Sequence, residues 1–241
     1  MPSIDKKPVI VHHHMGLGDH ICMNAMVRAM VEEHGPLSVV CKGGNLDNVR
    51  FMYRDDPRIS VVQLPHHANG ERAAVDHMVS EQNATLIRIG FRDPYHHNDP
   101  VSPDEYFYRQ AGVDYEQRFD GFRMDRDMEA EKAAFKKMVG DREDYVFVQS
   151  DEARGFPLRE AWGDDAVVVE NDPSVMLFHL GLVLERAREL HLPNSSIRCL
   201  IEGRNVYDMS KTRLVFHDLR APIWGKSTRL NWAETVHYGQ F

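Results

Sequence analysis

Short runs of β-branched and aliphatic residues alternate with amphipathic stretches along the first part of the chain. "PVIVHH" (8–13) is such a run, and "HICMNAMVRAMVEEH" (20–34) then sets Ile21, Met23, Met26, Val27, Met30 and Val31 near helical spacing until Gly35-Pro36 stops it. "LSVVCK", "ISVVQLP" and "ATLIRIG" repeat the strand pattern, with the helical "NLDNVRFMYR" and "ERAAVDHMVSEQ" between them. This alternation predicts a mostly parallel sheet with helices on both faces.

Residues 91–120 are rich in turn formers and carry one predicted helix after Ser102-Pro103, where Asp104 and Glu105 suit the positive end of a helix. A domain junction is expected here. "RDMEAEKAAFKKMVGDRED" is a charged helical segment that offers Met128, Ala134, Phe135 and Met138 to one buried face. The alternation then restarts: "YVFVQS", "AVVVE", "LHLPNS" and "TRLVFHDL" read as strands, and "SVMLFHLGLVLERARE" and "SIRCLIEGRN" as helices. The pattern therefore predicts an α/β protein of two Rossmann-like domains, 1–120 and 121–222, the second with a smaller parallel sheet. An aromatic tail, 223–241, with Trp224, Trp232 and Tyr238, is expected to pack back on the first domain.

A length of 241 residues accommodates two such halves, and 42% hydrophobic with 27% charged residues fits a folded chain throughout. The net charge of −8 sets the surface as a whole against nucleic acid and anionic membrane. Cys22, Cys41 and Cys199 are odd in number and far apart, as for reduced core thiols, and no apolar stretch is long enough for a membrane span. A cytoplasmic protein is expected.

Ligands of open parallel sheets bind beyond the carboxyl ends of the strands, so the loops there are the candidate chemistry. After the first strand come His12, His13 and His14, then Gly16 and Gly18, which permit close approach to the backbone, then Asp19 at or near a helix N-cap. Asp19 can cap the helix, act as a base, or do both. Consecutive histidines on a strand point to opposite faces, so no metal site is expected. One or two histidines of this turn line the cleft instead and the others pack beneath it, with His14 and His20 assigned beside Asp19. In the second half, Asn194, Ser195 and Ser196 open a helix after a strand and could seat a phosphate. Ser150 and Arg154 follow one strand and Asn171 another, Arg154 being suited to a diphosphate.

At these residues the sequence resembles GT-B glycosyltransferases, most closely the lipopolysaccharide heptosyltransferase-like group, in a small bacterial or phage type. The resemblance rests on "MGLGDHICMNAMVRAM", "ARGF", "LVLERARELHLPNSSIRCLI" and "LVFHDLRAP", and covers residues 65–140 only in the order of elements. It implies two Rossmann-like domains facing a central cleft, a nucleotide-diphosphate sugar as co-substrate with no other cofactor, and Asp19 as general base. "NSSIR" stands where many heptosyltransferases have an acidic-then-glycine phosphate loop, and their donor-binding lysine has no clear equivalent. The acceptor is a hydroxyl, of a glycan or of modified nucleic acid. No Asp-x-Asp sequence of the metal-dependent transferase kind is read, and Asp55-Asp56 before Pro57 reads as a turn, so transfer without a metal is expected. The rival readings are a nucleotide-sugar epimerase and a non-catalytic nucleotide-binding scaffold.

Overall fold

A computed structural model describes residues 7–91, 101–150, 158, 162–219 and 228–238. The chain divides into two compact units, 1–125 and 126–241.

In the first unit the strands are β1 (Val9–His12), β2 (Leu37–Cys41), β3 (Ile59–Gln63) and β4 (Thr85–Arg88), all parallel, in the order β3-β2-β1-β4. Every residue of β1 is buried, as its unbroken apolar run requires of a central parallel strand. The helical stretch after it is two helices, α1 (Leu17–Cys22) and α2 (Asn24–His34), joined at Met23. The second buries Met26, Val27, Met30 and Val31 and ends at Gly35, whose φ of 82° only glycine adopts freely. Next come α3 (Leu46–Tyr53) and α4 (Glu71–Glu81). The helix expected after Ser102 is α5 (Pro103–Ala111): Ser102 Oγ accepts from Glu105 N, Pro103 takes the first position, and left-handed Gly112 closes it. A short helix, α6 (Gln117–Asp120), follows.

The second unit holds α7 (Met128–Met138), β5 (Val146–Val148), β6 (Val168–Glu170), α8 (Gly181–Glu185), β7 (Glu189–Pro193), α9 (Ser196–Ile201), β8 (Arg213–Asp218) and β9 (Glu234–His237). The five strands run parallel in the order β6-β5-β7-β8-β9, so the sheet expected to be the smaller has one strand more than the first.

Two sequence expectations change here. The single helix over 174–189 is instead a 3-10 turn at Leu177–His179 followed by α8. The buried Glu131 carboxylate causes the break: it accepts from Leu182 N at 3.0 Å, and a Cβ at position 181 would lie 2.4 Å from its Oε2, so the helix starts at a glycine. Of the tail expected on the first domain, Glu234–His237 instead extends the second sheet, with Phe216 in register with Thr235. What holds it is a polar core. Arg198 pairs with buried Glu202 and lies under the Phe216 and Trp232 rings, while Glu202 accepts from Thr228 Oγ1 at 2.8 Å and Trp232 Nε1 donates to the same hydroxyl at 2.9 Å.

Candidate functional site

At the carboxyl end of β1 the three histidines part company. His12 is buried against Phe91, its Nδ1 accepting from Arg88 Nε at 3.1 Å, and Arg88 is itself paired with Asp76. His13 is buried with its ring edge-on to His20, centroids 4.6 Å apart. His14 is only half-buried, packed against Phe91 and Phe107, with Nε2 at 3.2 Å from the Gly90 carbonyl. Burial pushes His12 and His13 down to about 4 and His20 well below its ordinary range, so all three are neutral at pH 7. His20 is therefore corrected: it faces the core, and neither ring nitrogen has a partner. Of the two histidines assigned beside Asp19, His14 alone reaches the surface.

Asp19 is the third residue of α1, and Gly16 rather than Asp19 is the N-cap. Its Oδ2 accepts from Gly16 N at 3.2 Å, and a Cβ on Gly16 would lie 2.5 Å from that oxygen, so the carboxylate seat requires the glycine. Gly18 lies within the first turn of α1. Desolvation holds the Asp19 carboxyl above the usual range and the charge of Asp104 adds to this, against His14, the Gly16 N–H and Lys42. A carboxylate raised in this way is a stronger base. Beyond β2 and β3 at the same edge is a hollow of about 410 Å³ lined by Lys42, Gln63, His66 and His67 among others.

In the second unit, the ends of β5, β6 and β7 bring Ser150, Asn171 and Asn194–Ser196 to one sheet edge. Ser195 is an N-cap that accepts from Arg198 N at 3.3 Å and donates to Gln149 Oε1 at 2.6 Å. Asn194 Oδ1 accepts from Arg198 Nη1 at 3.3 Å. Both expected phosphate ligands thus already have protein partners, and α9 has only six residues, so Ser196 and the backbone amides there carry less of the expected role. Asn171 N donates to Val148 O, and Ser150 is half-buried. Arg154 lies outside the described residues. Gln149 was missed by sequence reading, although it follows its strand directly.

The expectation of no metal rested on the absence of an Asp-x-Asp string, yet the chain contains one, Asp125-Arg126-Asp127. Its members have structural work: Asp127 caps α7 by accepting from Ala130 N, and Arg126 is clamped by Glu131 and Glu185. No cluster of three or more His, Cys, Asp or Glu suited to a metal occurs among the described residues. A hollow of the second unit, about 670 Å³ and lined by Tyr207, Thr212, Leu214 and Arg229 among others, lies toward the amino end of β8, away from the polar loops.

Two parallel sheets in a mixed α/β chain, each with polar loops at its carboxyl edge, define a protein of two Rossmann-like units of the GT-B type. Solved structures of that type match the chain. A glycosyl transferase family 9 protein from Veillonella parvula DSM 2008 aligns at TM-score 0.56 and 12% identity, over 92% of this chain and 83% of that one. The ADP-heptose lipopolysaccharide heptosyltransferase II of E. coli aligns at 0.50 and 8%, over 91% and 87%. The dodecameric iron-containing heptosyltransferase TibC, solved with ADP-D-β-D-heptose, aligns at 0.51 and 13%, over 98% of this chain and 64% of that one. No protein-family model matches the chain, and no curated protein matches it in sequence. No helix among the described residues is long and apolar enough to cross a membrane.

Proposed function

We propose that the protein is a glycosyltransferase that moves a sugar from a nucleotide-diphosphate sugar to a hydroxyl acceptor, with Asp19 as general base and no metal required. The observation that carries this reading is the Asp19 carboxylate, held at the carboxyl edge of β1 by a glycine N–H and made more basic by burial. The heptosyltransferases of like fold, one of them solved with ADP-heptose, supply the substrate class. In the reaction Asp19 takes the acceptor proton as the acceptor oxygen bonds to the anomeric carbon. The bond from that carbon to the diphosphate oxygen breaks, and the nucleoside diphosphate leaves with the electron pair. Charge grows on the diphosphate, and Arg154 would stabilise it.

The test uses ADP-heptose, with glycan and glucosylated-DNA acceptors and detection of released ADP. Asp19→Asn is expected to lower kcat by about 10²–10⁴-fold, the range for removing a general base, while donor affinity stays at the parent value. Full turnover by Asp19→Asn would overturn the assignment of the base. Turnover of the parent is expected to survive EDTA, and its loss would overturn metal independence.

A further inference from the structure

Lys42 directly follows β2 and Gln63 ends β3, and both line the hollow of about 410 Å³ at the carboxyl edge of the first sheet. His66, His67 and Glu71 are its other hydrogen-bonding side chains, and Leu64 and Pro65 its apolar ones. The volume is of the size, about 300–1,000 Å³, in which pockets take small molecules. Backbone contacts fix its walls. Leu64 N donates to Cys41 O at 2.8 Å, which holds the chain after β3 against the end of β2. Gly70 N donates to His67 O at 3.0 Å, and the left-handed φ of 89° at Gly70 turns the chain straight into α4. A Cβ on Gly43 would lie 3.0 Å from Gln63 Nε2, so glycine there leaves the carboxamide its room.

The lining balances donors against acceptors. Lys42 Nζ lies 2.6 Å from Glu71 Oε1, and both side chains are about half exposed, so the pair is weak and open to a ligand. Lys42 keeps two further N–H donors and Glu71 a second oxygen. His67 accepts at Nδ1 from Asn69 N at 3.1 Å, so its ring is uncharged and carries its proton on Nε2 as a donor. Gln63 and His66 are exposed, and neither side chain has a hydrogen-bond partner among the described residues. Glu71 also stands in the first turn of α4, where its charge offsets the positive end of that helix. An anion entering the hollow therefore meets a carboxylate and a lysine that is already matched. A neutral ring bearing hydroxyls uses both signs at once, since each hydroxyl donates and accepts.

We infer that this hollow is a saccharide subsite that takes an uncharged, hydroxyl-rich unit of the acceptor, with Lys42 and Glu71 sharing its hydroxyls and Gln63 and His67 adding hydrogen bonds. The inference rests on the proposed function for its place in the reaction, and it narrows the acceptor to a glycan that is neutral at this unit. Its position beside Asp19 follows from the sheet: β3, β2 and β1 lie side by side, about 5 Å apart, and end at the same edge. Asn45, in the 3-10 turn just after Lys42, donates from Nδ2 to Met15 O at 3.0 Å and ties the hollow to the loop that leads into α1. The charge of Lys42 also reaches the Asp19 carboxyl. A glycan seated in the hollow thus brings a neighbouring hydroxyl to the base.

Binding is measured first, without a donor. Methyl α-glucoside, methyl α-galactoside, methyl α-mannoside, glucose 6-phosphate, glucuronate and a short DNA duplex are titrated into the parent, Glu71→Gln and Gln63→Ala, with the ¹H–¹⁵N imidazole resonances of His66 and His67 reporting on the hollow. At least one neutral glycoside is expected to move both imidazoles and to bind about 10-fold more tightly than either anionic sugar, the difference of one hydrogen bond to a charged group. Glu71→Gln is expected to bind that glycoside about 10-fold more weakly and to lose the preference against anions. Equal or tighter binding of an anionic sugar or the duplex at these imidazoles would overturn the inference, as would imidazoles unmoved by every neutral glycoside or parent-like affinity in Glu71→Gln. Should Glu71→Gln not fold, Gln63→Ala decides, with an expected loss of about 5-fold. The released-ADP assay then separates two failures. Sugar binding in the hollow without ADP release from ADP-heptose sinks the transferase reading and leaves a saccharide site. ADP release with the same acceptor KM in parent and Glu71→Gln sinks the subsite and leaves the transferase.

Discussion

Asp19 and His20 are adjacent in the chain but lie on different faces of α1, because neighbouring residues on a helix are about 100° apart. Asp19 stays at the edge while His20 turns into the core against His13. The pattern of glycines and an acidic residue before a helix identified Asp19, but nothing local marked which histidine would be buried. Gly16 carries a prediction at this scale. Alanine there would push its Cβ to 2.5 Å from Asp19 Oδ2, so the carboxylate must move. Under the proposed function, Gly16→Ala is expected to lower kcat by about 10²-fold with a thermal midpoint near the parent's, the cost of misplacing a reacting group. Unchanged turnover in the released-ADP assay would show that the carboxylate position does not matter.

At the scale of elements, helix starts were legible wherever their signal was local. Ser102, Pro103 and Gly112 bound α5 as a cap, a first-turn proline and a left-handed stop, and Ser102→Ala is expected to cost about 1 kcal/mol in urea unfolding. The start of α8 was not legible. Its apolar run continues without interruption, and the break comes from Glu131, a residue on α7 far away in sequence. Gly181 is where the two meet, with Tyr207 also 2.6 Å from the position a Cβ would take. Gly181→Ala is expected to destabilise the protein by about 1–3 kcal/mol through overpacking, despite the better helix propensity of alanine. A stabilised variant would mean that Glu131 does not sit on the helix start.

For the whole molecule, both units bury neutral histidines, and this sets the acid response. His12, His13 and His217 are each pushed down to about 4 by burial, with unfolded values near 6.5. Between those values the unfolded chain binds more protons than the folded one, so stability is fully present above about pH 6.5 and is lost progressively toward pH 4. The raised carboxyl of Asp19 acts in the opposite sense, gaining stability on acidification, but it is one group against several. The urea midpoint is expected to be lower at pH 5 than at pH 7. An equal or higher midpoint at pH 5 would show that these imidazoles are not buried neutral.

The sequence by itself determined what depends on neighbours within a few residues: the alternation of strands and helices, the capped α5 and the two parallel sheets. Aliphatic runs must be buried on both faces, and caps act within one turn, so such features are written locally. Tertiary structure decided what depends on strand register. The fifth strand of the second sheet was hidden because "ETVH" has a single apolar residue, and what pairs with it, Arg213 to Glu234 and His217 in register with Val236, lies on another strand. The same register brought Glu189, His191, His217 and Tyr238, separate letters in the sequence, into one chain of hydrogen bonds.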